Sequence, residues 1–193
     1  MNHPIVLASA SPRRRELLRE IVTDYKVDSA DIDEDELTCD DPRSTAERLA
    51  LAKADAVAVR HPNSLVIGAD TVVAFLDSPP EQLAKPLDEE HAAQMLGKLS
   101  GRTHTVFTGV ALVGPDIRWV GSDETRVSFR HLTDQEIRRY VSTGEPMDKA
   151  GAYAIQGGAA TFILKVEGSI SNVIGLPLEL LRSVLKTREG QRT

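Results

Sequence analysis

The chain has 193 residues, 41% of them hydrophobic and 27% charged, a size and balance that suit one globular unit with a real core and exclude a disordered or collagen-like chain. No run approaches 18 apolar residues and the first seven lack a basic and then apolar leader pattern, so a cytoplasmic protein with no membrane partner is expected. A lone cysteine, Cys39, excludes an internal disulfide and a thiolate zinc cluster, and a net charge of −6 disfavours nucleic acid as a partner.

Residues 5–8 are a short apolar run ending in small polar residues and a proline. This predicts a buried strand leading into a helix capped by Ser11, with Pro12 at its first position. A second short strand is expected at 25–28. Eight carboxylates and no lysine or arginine occupy 27–41, so one acidic loop is set on an otherwise mildly basic body. Ser44 and Glu47 have capping-box spacing and predict the start of an Ala-rich helix reaching about Val59. Residues 64–68 read as a buried strand that presents Asp70 and Thr71 just past its end, with extended chain on to Phe75 and a loop enforced by Pro79 and Pro80. Asp88 caps a third helix that stops near Gly101. Two alternating stretches, 103–113 and 117–129, predict an antiparallel pair. Thr133 and Glu136 form another capping box. Residues 144–158 read as a glycine-punctuated loop, 162–166 as a strand and 178–185 as a closing helix after Pro177. Interleaved strands and helices around an antiparallel pair give an α/β fold with a mixed sheet.

Several of these segments could carry chemistry. Ser9, Ser11, Arg13, Arg14 and Arg15 gather at one helix N-terminus, where free backbone N–H groups, hydroxyls and guanidinium groups favour an anion. The same residues equally suit a capped helix with solvated arginines. Asp70 can take a proton from water or hold a cation, or it can be a turn former bonded to nearby backbone. One or two carboxylates of the acidic loop, if they face a cleft, suit magnesium; the rest are solvated. Lys53, in an apolar helix stretch, and Lys85, before Pro86, are either ligand-binding cations or snorkelling side chains. Residues 148–158 carry small residues that let backbone approach a ligand, with the Gln156 amide able to read a base edge, or they form an ordinary surface loop. The five histidines lack ligand spacing, and HExxH, GxSxG, Walker A and GxGxxG patterns are absent from the sequence. A zinc hydrolase or serine esterase is therefore poorly supported.

Seven blocks stand in one order over nearly the whole chain: Leu7-Ala8-Ser9-Ala10-Ser11-Pro12-Arg13-Arg14, Gly68-Ala69-Asp70-Thr71-Val72-Val73, Lys85-Pro86, Leu99-Ser100-Gly101-Arg102-Thr103-His104, Gly144-Glu145-Pro146-Met147-Asp148-Lys149-Ala150-Gly151-Ala152-Tyr153, Gln156-Gly157 and Gly175-Leu176-Pro177-Leu178. In them the sequence resembles the Maf family of nucleoside triphosphate pyrophosphatases. The resemblance implies an α/β fold with a mixed sheet, a two-lobed single domain over residues 1–193 with a deep cleft of the Maf/ITPase-like kind, and a homodimer. It also implies hydrolysis of a nucleoside triphosphate substrate to the monophosphate and pyrophosphate with a divalent metal cation, Mg or Mn. By resemblance Asp70 is the base for water and Ser9, Ser11, Arg13, Arg14, Lys53 and Lys85 serve the phosphates. Glu34, with Asp70, is assigned to the metal. Arg13, Thr71 and Gln156 stand where the branch acting on dTTP and UTP carries these residues and where the 7-methyl-GTP branch carries Trp, Gln and Glu. Thr71, being small, is expected to let Arg13 help close the pocket on a pyrimidine, modified pyrimidine nucleotides included. Ala159 stands where the family usually has Gly, which bears on the backbone's approach to the nucleotide. A nucleotide-binding regulator of cell division without turnover is the second reading. Asp70 separates the two, because a pure binder has no use for a water-activating carboxylate.

Overall fold

The computed structural model describes residues 3–190. The longest apolar run becomes one strand, β3 (Leu65–Phe75), and the sheet is assembled on it. Along one edge β3 pairs antiparallel with β5 (Thr103–Gly114) from Val66 to Ala74; β5 then pairs with β6 (Ile117–Phe129), and β6 with β7 (Ile163–Glu167). Two short strands share the other edge. There β1 (Ile5–Leu7) runs parallel to Leu65, Val66 and Ile67, with β2 (Lys26–Val27) parallel beyond it, while β4 (Glu81–Leu83) runs antiparallel to Val73, Ala74 and Phe75. Between them, residues 68–72 have no strand beside them on that edge. The result is the mixed α/β sheet expected, in the order β2-β1-β3-β5-β6-β7 with β4 on β3.

The helices are α1 (Pro12–Arg19), α2 (Pro42–Ala58), α3 (Glu89–Leu99), α4 (Asp134–Val141), α5 (Ile170–Ile174) and α6 (Leu178–Gly190). Ser11 accepts from the Arg14 N–H at the head of α1, Asp88 caps α3, and Thr133 and Glu136 cap α4 reciprocally, all as predicted. Helix α2 departs from expectation. Asp41, not Ser44, is its cap, accepting from the Ser44 N–H at 2.9 Å, and Glu47 instead accepts from Ser122 Oγ at 2.6 Å. A carboxylate followed by proline at the first helical position is the stronger start signal, because the proline is preset to helical φ and needs no N–H partner there.

Three further differences concern strands and loops. Asp70 and Thr71 lie in the middle of β3 rather than past its end, since pairing with β5 carries the strand straight through them. The loop after β3 ends at Pro80, because residues 81–83 find the free edge of β3 and become β4. Residues 144–158 are not irregular coil: they fold into 3-10 turns at Glu145–Asp148 and Ala150–Ala152. The short helix α5, capped by Ser169, was not predicted.

The core divides along β3. Leu65, Ile67 and Ala69 pack with Val110 and Leu112 against Leu17 and Leu18 of α1 and Leu178 and Leu181 of α6. Val66 and Ala111 face Ala50, Ala54 and Val57 of α2 on the other side of the sheet. At the far end Val73, Phe75, Val106, Val127 and Phe129 pack against Leu96 and Leu99 of α3 and Ile137 and Tyr140 of α4. Two lobes result, joined through β3. Ala159 is a fully buried member of the second lobe's core and does not line the cleft between them, so its methyl group does not alter the cleft wall. Helix α2 lies unusually close to the sheet: a Cβ on Gly68 would stand 2.2 Å from the Ala50 carbonyl oxygen, and one on Gly109 2.2 Å from that of Ala46. Ala46, Ala50 and Ala54, four residues apart, present the matching smooth stripe. No helix among the described residues is long and apolar enough to cross a membrane.

His104 sits in the core of the second lobe, ringed by Phe75, Phe129 and Tyr153, with Nε2 2.8 Å from Tyr153 Oη. Burial pushes its pKa down from 6.5 to about 3, so the folded protein keeps the ring neutral where the unfolded chain would protonate it. More protons on the unfolded state mean that stability is complete above pH 6.5 and is lost as pH falls toward 3. Urea unfolding between pH 7 and pH 4 should show this slope, at most about 1.4 kcal/mol per pH unit for one proton. His104→Gln, which keeps a polar partner for Tyr153 and cannot titrate, should flatten it.

Candidate active site

The unpaired stretch of β3 opens into a cleft of about 960 Å³. Its walls come from the elements that flank the gap. Residues 8–14 leave the carboxyl end of β1 and enter α1, the place where open α/β sheets receive ligands. Residues 82–85, the end of β4 and the two residues after it, stand on the opposite side, and the acidic loop, α2, residues 148–156 and Val173 and Ile174 of α5 complete the lining. Ser9, Ser11, Arg13, Arg14, Glu34, Lys53, Asp70, Thr71, Lys85 and Gln156 all line it, so the ten residues the resemblance assigns to the site are brought to one place, while Arg15, grouped with them at the head of α1, does not line it.

Consecutive residues of a strand face opposite ways, and Asp70 and Thr71 use both directions. Asp70 points to α2, where Lys53 Nζ stands 2.5 Å from its Oδ1; the same Nζ lies 2.7 Å from Glu34 Oε1. The close seating of α2 makes this contact possible. Lys53 is only 13% exposed in its side chain, so the two carboxylates are what keep a buried ammonium tolerable. Burial works to raise the Glu34 carboxyl, yet the cations Lys53, Lys85 and Arg14 hold it below its ordinary value.

Thr71 points the other way and meets Arg14, not Arg13. Arg14 Nη2 donates to Thr71 Oγ1 at 3.0 Å, Nε to the Gly175 carbonyl at 2.7 Å and Nη1 to Ser9 Oγ at 3.4 Å. Burial lowers the Arg14 pKa, with Asp70 and Glu34 opposing, but a guanidinium remains charged at any physiological pH. Arg13 extends across the mouth of the cleft to Asp148, with Nη1 3.3 Å from Oδ2. Thr71 thus also holds Arg14 directly.

The sequence reading gave no role to Lys149, which also lines the cleft. Its side chain is 11% exposed and its Nζ donates at 2.5 Å to both the Glu145 carbonyl and Asp148 Oδ1. A lysine set before Ala150 and Gly151 was the available signal: Gly151 has φ +71, and a Cβ there would stand 3.0 Å from Val73. Glu145 shapes the neighbouring loop. Its Oε1 accepts from Tyr140 Oη at 2.9 Å and its Oε2 from the Gly158 N–H at 3.1 Å. A side chain on Gly157 would collide with this carboxylate, so the turn carrying Gln156 is drawn tight against it.

Among the described residues no group of three or more His, Cys, Asp or Glu side chains could hold a metal ion by itself. Glu34 and Asp70 nonetheless accept from one Nζ, which keeps two hard oxygens near each other at the cleft wall. That set fits magnesium or manganese, which bind through one or two carboxylates together with substrate phosphates.

A family model described as "Maf-like protein" matches residues 4–188. The dTTP/UTP pyrophosphatase of Symbiobacterium thermophilum is 52% identical over 174 residues, covering 90% of this chain and 88% of that protein. The dTTP/UTP pyrophosphatase of Pelotomaculum thermopropionicum is 50% identical over 184 residues, covering 94% and 95%. Among solved structures the Ham1 protein of Staphylococcus aureus aligns with a TM-score of 0.58 at 19% identity, over 96% of this chain and 99% of that one, a likeness of fold.

Glu145→Ala removes the acceptor from Tyr140 Oη and from the Gly158 N–H together. The expected outcome is a loss of about 1–3 kcal/mol in unfolding free energy. Hydrogen exchange at Gly158 should quicken at least about tenfold while the amides of β3 and β5 keep their protection, as local opening requires.

Proposed function

We infer that this chain, which belongs to the Maf family, is a nucleoside triphosphate pyrophosphatase that hydrolyses dTTP and UTP to the monophosphate and pyrophosphate. The observation that carries the reading is the convergence of all ten expected residues on one cleft beside an open strand edge. Residues 1–193 act as one catalytic domain in this reading, as a homodimer in the cytoplasm, with modified pyrimidine nucleotides as a further substrate class.

The charges lining the cleft argue for a metal. Five cations (Arg13, Arg14, Lys53, Lys85 and Lys149) face four carboxylates (Glu34, Asp35, Asp70 and Asp148), so the protein alone is close to neutral there. A triphosphate brings about four negative charges, which calls for an additional cation. Glu34 and Asp70 would hold it, and a divalent ion at that place would neutralise charge developing on the phosphates. Arg13, Arg14, Lys53 and Lys85 bind and align the phosphate chain, with Ser9 and Ser11 adding hydroxyl groups at the head of α1. Water attacks phosphorus in line, the bond to the α–β bridging oxygen breaks, and pyrophosphate leaves. Asp70 takes the proton of that water. Gln156 reads the base, its amide both donating and accepting toward O4 and N3–H of uracil or thymine.

Asp70→Asn should abolish pyrophosphate release from dTTP while nucleotide binding is kept or improved, because the change removes a proton acceptor and a charge that repels substrate. Activity within tenfold of wild type would refute the base assignment, and nucleotide-dependent regulation unaffected by the change would favour the non-hydrolysing regulator. In a panel of nucleoside triphosphates assayed with Mg²⁺ or Mn²⁺, dTTP and UTP should exceed GTP and 7-methyl-GTP by at least about tenfold in kcat/KM, since each mispaired buried polar group costs roughly 1–3 kcal/mol. Chelator should remove the activity. Faster turnover of 7-methyl-GTP than of dTTP would place the chain in the other branch.

A further inference from the structure

Thr108 of β5 is completely buried and does not line the cleft. Its hydroxyl is nevertheless one step from a group that does. It stands opposite Thr71 in the β3–β5 register, with the two Oγ1 atoms 3.0 Å apart. Thr108 Oγ1 is also 2.8 Å from the carbonyl oxygen of Asn172 in α5. A carbonyl can only accept and a hydroxyl has a single proton, so the proton of Thr108 belongs to Asn172. The contact between the threonines must then run the other way, with Thr71 donating. Its own proton spent, Thr71 has only a lone pair to offer on its remaining side, and there Arg14 Nη2 donates to it. One direction is fixed throughout: guanidinium to Thr71, Thr71 to Thr108, Thr108 to the Asn172 carbonyl, each bond polarising the next.

The end of this chain is anchored. The N–H of Leu176 bonds to Ser171 rather than Asn172, which leaves the Asn172 carbonyl as one of the unclaimed acceptors of a last helical turn. The Asn172 side chain is fully buried and donates to the Val106 carbonyl at 3.0 Å and to Thr125 Oγ1 at 2.9 Å. The carbonyl of Gly175, just past the same helix, takes Arg14 Nε. Only glycine serves there: φ is +124, and a Cβ would stand 3.2 Å from Thr71 Oγ1 and 3.3 Å from Arg14 Nε. With these two bonds and the one to Ser9, three of the five guanidinium N–H groups are engaged, leaving one on each of Nη1 and Nη2 for an anion in the cleft.

We propose that Thr108 is a positioning residue for substrate phosphate: by fixing the proton of Thr71 it sets the orientation of Arg14 and aims the remaining N–H fork into the cleft. The proposal rests on the cleft being a nucleoside triphosphate site and extends that reading to a residue that never touches the substrate. Its test is calorimetric binding of the non-hydrolysable α,β-imido analogue of UTP to wild type and to Thr108→Val, Thr108→Ser, Arg14→Ala and the Thr108→Val/Arg14→Ala double variant. Thr108→Val should weaken binding at least about fivefold, with KM for UTP rising more than kcat falls, and Thr108→Ser should restore binding to within about twofold. In the Arg14→Ala background Thr108→Val should add less than about twofold, because its effect passes through a guanidinium no longer present. Wild-type affinity in Thr108→Val, or losses that multiply in the double variant, would overturn the proposal while leaving the pyrophosphatase reading intact. If Thr108→Val does not fold, Thr108→Cys, with a weaker donor and acceptor, should give an intermediate loss, and wild-type affinity there would overturn the proposal equally. A wild-type protein that releases no pyrophosphate from UTP would instead defeat the reading of the site.

Discussion

The gap on one edge of β3 is the constraint from which the rest of the molecule can be understood. An eleven-residue strand is held by β5 from Val66 to Ala74, yet on the other side β1 covers only its first residues and β4 only its last. The middle is therefore rigid and open at once. Rigidity comes from the antiparallel ladder, and openness from the shortness of two flanking strands. Because β1 stops at Leu7, the chain turns away there and delivers Ser9 to Arg14 to the rim; because β4 stops at Leu83, Lys85 arrives from the other lobe. A sheet completed on that edge would have no cleft.

Charge is placed in this opening at considerable desolvation cost, and the geometry shows how the cost is offset. Lys53 is buried against the sheet only because Gly68 and Gly109 let α2 come within backbone contact, and there it finds two carboxylates instead of none. Arg14 likewise gives up water but gains a carbonyl and two hydroxyl groups. Groups held so firmly before any ligand arrives need little reorganisation afterwards, which is what electrostatic stabilisation of a charged transition state requires. The relay through Thr71 and Thr108 carries the same logic one layer deeper.

Much of this was legible in the sequence because it depends on local chemistry. Ser11-Pro12, Asp88 and the Thr133–Glu136 pair announce helix starts through hydrogen bonds made within a few residues. Most of what escaped depends on distant partners, although the Asp41-Pro42 start of α2 and the Ser169 cap of α5 are local. Ser44 and Glu47 have the spacing of a capping box, but Asp41 and Pro42 take that office and Glu47 finds Ser122 on β6. Strand β4 follows two prolines and exists because β3 has a free edge, a fact no local window contains. Asp70 was expected past a strand end because an acidic residue ordinarily ends an apolar run; an adjacent cleft is what lets it stay inside one. The site residues were recognisable as blocks, but the contacts of Thr71 with Arg14 and of Arg13 with Asp148 join elements far apart in the chain.

The ion pair between Arg13 and Asp148 spans the two walls of the cleft, and with Arg13 as a phosphate ligand, as proposed, it would make the protein its own competitor. A tethered carboxylate contends for Arg13 at an effective concentration that does not change with the supply of ligand. A triphosphate, with several phosphoryl groups reaching other cations at the same time, can displace Asp148 and remain bound. A monophosphate has fewer such contacts, so the returning carboxylate recovers Arg13 more readily. If Arg13 binds phosphate as proposed, an internal anion of this kind would rank ligands by the number of charges they present and speed the departure of the product that carries the fewest.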